Sequence, residues 1–277
     1  MNDALRPEDF VEPTCPLCPS PYYSDDNRTS IDVGRMLEKL DSYLDKNDTV
    51  SARRHLEYWL AEAEQCGDFR GKLTVLNELM GLHRKAGRRE EAVSAAEKAL
   101  VLTEIAGLEN TVSAATTYLN AATVYKAFGA AEKALPLYLS AQKIYESELE
   151  EDDPRRGGLY NNMALAYVDL GNFSEADKLY RRALSVMSRA KYGELEQAVT
   201  LLNMANAAEN EHGLLAAEET ISGLVSRAEA LLDAPGLPRN GYYAFVCEKC
   251  APTFGYYGYF LFQKELERRA KDIYERT

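Results

Sequence analysis

Residues 160–187 read YNNMALAYVDLGNFSEADKLYRRALSVM. Tyr160, Met163, Ala164, Tyr167 and Leu170 recur at the spacing of one helix face, Gly171 and Asn172 break the pattern, and Ala176, Leu179, Tyr180 and Ala183 resume it. This predicts two amphipathic helices joined by a tight turn. The small residues let the two helices approach closely, and the tyrosines fill the space between successive pairs. Asn161 and Asn162 lie off the apolar stripe. Asparagine is a mediocre helix former because its amide competes for backbone hydrogen bonds, so two in a row call for a role other than supporting the helix.

The same unit recurs along the chain. Loop glycines stand at Gly87, Gly129, Gly171, Gly213 and Gly255, each 42 residues after the last. Alanine follows the first three at plus five (Ala92, Ala134, Ala176) and at plus twelve (Ala99, Ala141, Ala183), with Tyr138 and Tyr180 at plus nine. Tyr118 and Tyr160 precede their glycines by eleven residues, and Tyr125 and Tyr167 by four. A fixed period of this length is the mark of a stacked repeat. At the front, SIDVGRMLEKLDSYLDKNDTVSARRHLEYWLAEAEQCG reads as two helices around a DKND turn, with Asp48 as cap of the second. That gives about six helix pairs and no alternating, strand-like segment.

In order, Tyr160, Met163, Ala164 and Tyr167, then Ala176, Tyr180 and Ala183, resemble the tetratricopeptide-repeat pattern. Pro154 stands six residues before Tyr160, where that family's unit-closing proline belongs, and Pro238 precedes Gly255 by the same 17 residues as Pro154 precedes Gly171. The family's usual unit is about 34 residues, so about eight extra residues fall at the end of each second helix. Units of this length resemble the kinesin-light-chain-like branch. The resemblance implies an all-α fold: a right-handed superhelical solenoid of about six antiparallel helix pairs, binding partners in its concave face. It is strongest from 70 to 190. In the fourth unit Glu218 and Val225 replace the two alanines, and FGYYGYF stands at the fifth turn. The expected organisation is a proline-rich tail over 1–29, then a repeat domain over 30–277 with a degenerate leading unit (30–67), central units (68–235) and an aromatic-rich terminal unit (236–277).

Ten and nine residues before each of the first four glycines stand Asn77 and Glu78, Leu119 and Asn120, Asn161 and Asn162, and Asn203 and Met204. In a tetratricopeptide stack these positions line the concave side. An amide donates and accepts at once, so a row of them suits the backbone of an extended peptide. The candidate groove set is Asn77, Asn120, Asn161, Asn162, Asn203 and Thr123, with Arg84 and Lys126 near the turn end beside Lys85 as cations for an acidic ligand. The alternative is that the amides bond neighbouring first helices and hold the pitch of the stack, and that the cations are solvated charges at helix C-termini. The lysines that clamp a carboxylate tail in chaperone-binding members are absent at minus ten and minus thirteen.

The formal charge of −12 and pI near 4.9 argue against nucleic acid and anionic membranes as partners. No long apolar run or basic leader is present, and five cysteines in 277 residues are too sparse for a disulfide scaffold, so the expected compartment is the cytoplasm. Only His55, His83 and His212 are available for acid–base work, and no phosphate loop or nucleophile elbow occurs. The expected function is non-catalytic, without metal or cofactor: a protein or peptide partner held in a groove, with an exposed stack end able to pair with a second copy. A regulator acting through a partner is the runner-up. CPLC (Cys15, Cys18) and CEKC (Cys247, Cys250) each look like half a zinc site or a redox pair, against a plain buried pair in a helix. The tail segment FVEPTCPLCPSPYY is a candidate pseudo-ligand for the groove.

Overall fold

The computed structural model describes residues 30–276. Among them are twelve helices and no strand: α1 (Val33–Leu44), α2 (Thr49–Gln65), α3 (Phe69–Lys85), α4 (Arg89–Ile105), α5 (Val112–Ala127), α6 (Ala131–Glu148), α7 (Pro154–Asp169), α8 (Phe173–Met187), α9 (Glu194–His212), α10 (Glu218–Leu232), α11 (Gly241–Tyr256) and α12 (Phe260–Arg276). Each helix packs closely on the next in the chain, except α10 and α11, where α11 packs instead on α9 and α12, giving an all-α repeat solenoid.

Local chemistry sets the helix ends. The carboxylates of Asp32, Asp48, Asp68 and Asp153 accept backbone N–H groups at the starts of α1, α2, α3 and α7, and Pro154 occupies the first turn of α7, where a missing N–H costs nothing. The turns inside the pairs need a left-handed residue, supplied by Asn47 (φ 53°) in the leading pair and by glycine at 87, 129, 171 and 213.

The fifth turn departs from the sequence expectation. Gly255 lies inside α11, and the left-handed residue is Gly258 (φ 88°), three residues later. Packing explains the shift. Counting from Gly258, the stripe positions at minus eleven, eight, seven and four are Cys247, Cys250, Ala251 and Phe254, all at most 2% exposed. Counting from Gly255 would have put Glu248 in the core. Ala270 then falls at plus twelve, the place of Ala99, Ala141 and Ala183, and it too is buried.

The repeat alanines and tyrosines do what their spacing suggests. Ala92, Ala99, Ala134, Ala141, Ala176 and Ala183 are buried, and Tyr138, Tyr160 and Tyr180 are among the largest side chains with essentially no exposed surface. The apolar interior runs as three successive clusters, one around α1–α5, one around α5–α9 and one around α9–α12.

Candidate functional site

Successive first helices (α3, α5, α7, α9, α11) pack directly on one another, while the second helices make their principal contacts with first helices. A stack whose one layer is drawn together curves towards that layer, so the first helices form the inner face. The curvature brings the first and last units of the described solenoid together. The Lys85 ammonium at the end of α3 lies 4.5 Å from the centre of the Phe245 ring in α11. At the start of α11, a methyl group on Gly241 would collide with the Asp45 carboxylate and stand 2.8 Å from its Cα, so only glycine lets α11 pass this close to the end of α1.

The enclosed space shows in the ionisation of its lining. Arg84 is exposed, yet surrounding protein pushes its guanidinium pKa down; burial, with Asp41 adding to it, raises that of Glu78. Tyr242 is 47% exposed but its phenol is pushed well up, first by desolvation and then by Glu196, to which its hydroxyl donates.

The candidate asparagines sit between adjacent first helices. Asn77 donates to the Leu73 carbonyl (2.9 Å) and to Thr117 Oγ1 (3.0 Å), and accepts from Asn120 Nδ2 across the α3–α5 contact (2.8 Å). Asn203 Nδ2 donates to Asn161 Oδ1 across α7–α9 (3.0 Å), and Asn162 Nδ2 turns back to the Gly158 carbonyl (3.0 Å). The amides therefore form two separate pairs, spanning 43 and 42 residues. Part of their capacity is spent between helices, as the alternative reading requires, and part is left: the carbonyl oxygens of Asn120, Asn162 and Asn203 and the amide nitrogen of Asn161 make no bond among the described residues.

Thr123 bonds the Leu119 carbonyl (2.8 Å) and shares a hydrogen bond with the Tyr138 hydroxyl (3.1 Å), whose pKa burial pushes up to about 12. In the next unit Leu165 replaces Thr123, and the buried Tyr180 hydroxyl has no partner among the described residues. Lys126 ion-pairs with Asp169 of the following first helix (3.5 Å). Of the three cations, one is thus paired with a carboxylate, one rests on an aromatic ring and Arg84 makes no ion pair among the described residues.

The far wall comes from the aromatic-rich terminal unit, which the sequence offers either as a sealing cap or as a partner patch without singling out residues. The hydroxyls of Tyr256 and Tyr257 donate to the Glu209 carboxylate (2.6 and 2.9 Å), and Tyr257 also reaches Asn206 (2.9 Å). Glu209 occupies the stripe place that Tyr125 and Tyr167 hold earlier. Phe245 was hidden by the register: counted from Gly258 it stands at minus thirteen, the place of Thr74, Thr116 and Thr200, and it meets Lys85 of α3.

Cys247 and Cys250 are core residues of α11, their thiols both pushed up to about 12 by burial, and so protonated and unreactive at neutral pH. Cys15, Cys18 and the FVEPTCPLCPSPYY segment lie outside the described residues. Among the described residues no group of three or more His, Cys, Asp or Glu side chains is placed to hold a metal. No described helix is long and apolar enough to cross a membrane.

A tetratricopeptide-repeat family model matches residues 158–194, the unit of α7 and α8. The chain as a whole is a helical-repeat solenoid, and this one unit carries the tetratricopeptide-repeat signature. Its fold is similar to BtubC (BKLC) from P. vanneervenii, at 22% identity and a TM-score of 0.60 over 74% of this chain and 84% of that one. It is also similar to the nearly identical TPR-like repeats of a kinesin-light-chain-type protein of Podosopora anserina, at 17% identity and a TM-score of 0.50 over 73% and 94% of the two chains. A single-substitution form of that protein gives a TM-score of 0.52. No curated protein sequence matches the chain.

Proposed function

We propose that this protein is a non-catalytic binding module in the cytoplasm that holds an extended segment of a partner protein along the inner face of α5, α7 and α9. The observation that carries the reading is the leftover hydrogen-bonding capacity of Asn120, Asn162 and Asn203 on successive first helices, with buried Asn161 (6% exposed) holding Asn203 in place. Pairing between amides fixes each side chain in place, and a fixed amide with an open donor or acceptor loses little entropy on meeting a peptide backbone. Thr123 and Leu165 lie on the same face, one turn nearer the turn end.

The three histidines support a non-catalytic role. His55 bonds the Met36 carbonyl (2.9 Å), buried His83 titrates below its ordinary range because of desolvation, and His212 lies beside Glu211 at the far end of the stack. They share no site.

The test is selection of extended peptides on the wild-type chain, followed by binding to the triple variant Asn120→Ala, Asn161→Ala, Asn162→Ala. The expected result is at least tenfold weaker binding, on the order of 1 kcal/mol per amide lost, with an unchanged circular dichroism spectrum. Undiminished binding by the folded variant would overturn the reading.

A further inference from the structure

We propose that Phe245 is the groove's platform for a positively charged side chain of the bound segment, lysine or arginine, and that Lys85 holds that place until the segment arrives. The inference rests on the groove reading above and adds to it the chemistry of the partner.

Phe245 stands on the last first helix, and the Tyr242 ring lies beside it, 6.3 Å away and tilted by 33°. The Lys85 ammonium meets this wall from α3, on the opposite side of the groove, 4.5 Å from the Phe245 centroid. Among the described residues no carboxylate lies within ion-pair distance of Lys85, although the chain carries a net charge of −12. A flexible ammonium surrounded by an excess of acids has settled on a ring face, the contact that cation–π attraction rewards when water is partly excluded. The surroundings favour a cation further. Glu196 lies next to the ring pair, bonded to Tyr242. Lys85 has four rotatable bonds and its Cα at the last residue of a helix, so it can leave without unfolding anything. A segment lying along the inner face of α5, α7 and α9 reaches α11 as the next first helix, which places one of its side chains over Phe245.

Three fluorescein-labelled peptides test this by anisotropy: an alternating serine–lysine peptide and counterparts with norleucine or glutamate in place of lysine. The full chain is expected to prefer the lysine peptide. Lys85→Ala should tighten that peptide roughly tenfold, the worth of one partly desolvated cation–π contact. The norleucine peptide should change less than twofold, and so should lysine-peptide binding to Lys133→Ala, which removes the same charge from the outer helix α6. Phe245→Ala should erase the preference for lysine over norleucine, and Phe245→Trp should retain it. Equal binding of all three peptides, lost in the Asn120, Asn161 and Asn162 triple variant, would overturn this inference while the groove reading stood. Binding of none to the wild type or to Lys85→Ala would overturn both. A shift to dimer on sedimentation, without lysine preference, would assign the wall to a second copy and overturn the proposal.

Discussion

The middle of the solenoid and its last unit solve one packing problem with different side chains. In α5–α8 the stripe and its partners are alanines set against tyrosines, with Tyr138, Tyr160 and Tyr180 buried in a shared cluster. In α11 the same stripe is Cys247, Cys250, Ala251 and Phe254, and the apolar contact back to α9 is supplemented by a polar one, with Tyr256 and Tyr257 donating to Glu209. The difference shows that the repeat constrains volume and polarity at each position rather than residue type. A thiol is a small hydrophobe there, and a tyrosine–carboxylate pair can replace a tyrosine in the stack. It also separates a middle held from both sides from an end held from one.

The largest effect should come from removing the ring at matched depths. Tyr138→Ala in the middle and Phe254→Ala at the end each remove a fully buried ring, and each should cost about 3–5 kcal/mol. Thermal unfolding followed by hydrogen exchange should distinguish them. Loss in the middle should lower protection throughout, whereas loss at the end should release α11 and α12 first and leave α3–α8 protected. Identical exchange patterns would break the distinction.

Next comes the place where the ends meet. Gly241→Val puts side-chain atoms where Asp45 stands, against its Cα as well as its carboxylate, so backbone must move. A larger radius of gyration in solution scattering, with helix content retained, is the expected result. An unchanged radius with a loss of about 1–3 kcal/mol would mean that the ends yield locally instead.

The cysteines give a smaller effect, and a sharper contrast with their sequence signature. With Cys15 and Cys18 replaced by serine, Cys247 and Cys250 should not react with a thiol reagent at pH 8, because burial pushes both thiols up to about 12. They should react on unfolding. Rapid labelling of the native chain at either position would remove them from the core.

The smallest effect is a pH signature of the groove. Burial raises the Glu78 carboxyl above its ordinary 4.5, so the folded chain binds this proton more tightly than the unfolded chain. The stability linked to it is full below 4.5 and is lost as pH rises through the folded value. Glu78→Gln should therefore raise the melting temperature slightly at pH 7, by the equivalent of a few tenths of a kcal/mol, and leave it unchanged at pH 4. Equal shifts at both pH values would contradict a desolvated Glu78.

Much of this fold was written in the sequence, because close helix approach demands alanine at fixed places and the spaces between demand rings. The end was harder to read for an equally physical reason. Gly255 and Gly258 both satisfy a turn pattern, and only the requirement to bury the stripe at minus eleven to minus four selects Gly258. CEKC looked like chemistry because cysteine spacing in a helix core is the same as in a metal half-site. The meeting of Lys85 with Phe245 joins residues 160 positions apart and depends on curvature summed over every unit, which no local pattern encodes. For the asparagines, helical spacing identifies the face but not the partner. An amide at a given position bonds a neighbouring helix or a ligand according to a few tenths of an ångström between helices, and here it does some of each.

Photo-crosslinking from inside and outside the curve tests the central claim most directly. A photoreactive phenylalanine analogue placed at Leu119 or Leu165 on the first helices, and at Val101 or Leu139 on the second, is exposed to the selected peptide. Val101 and Leu139 are about half exposed, so the outer positions are open to any ligand. Crosslinks from the two inner positions and none from the two outer ones is the expected result; capture from the outer helices with silence inside would contradict it.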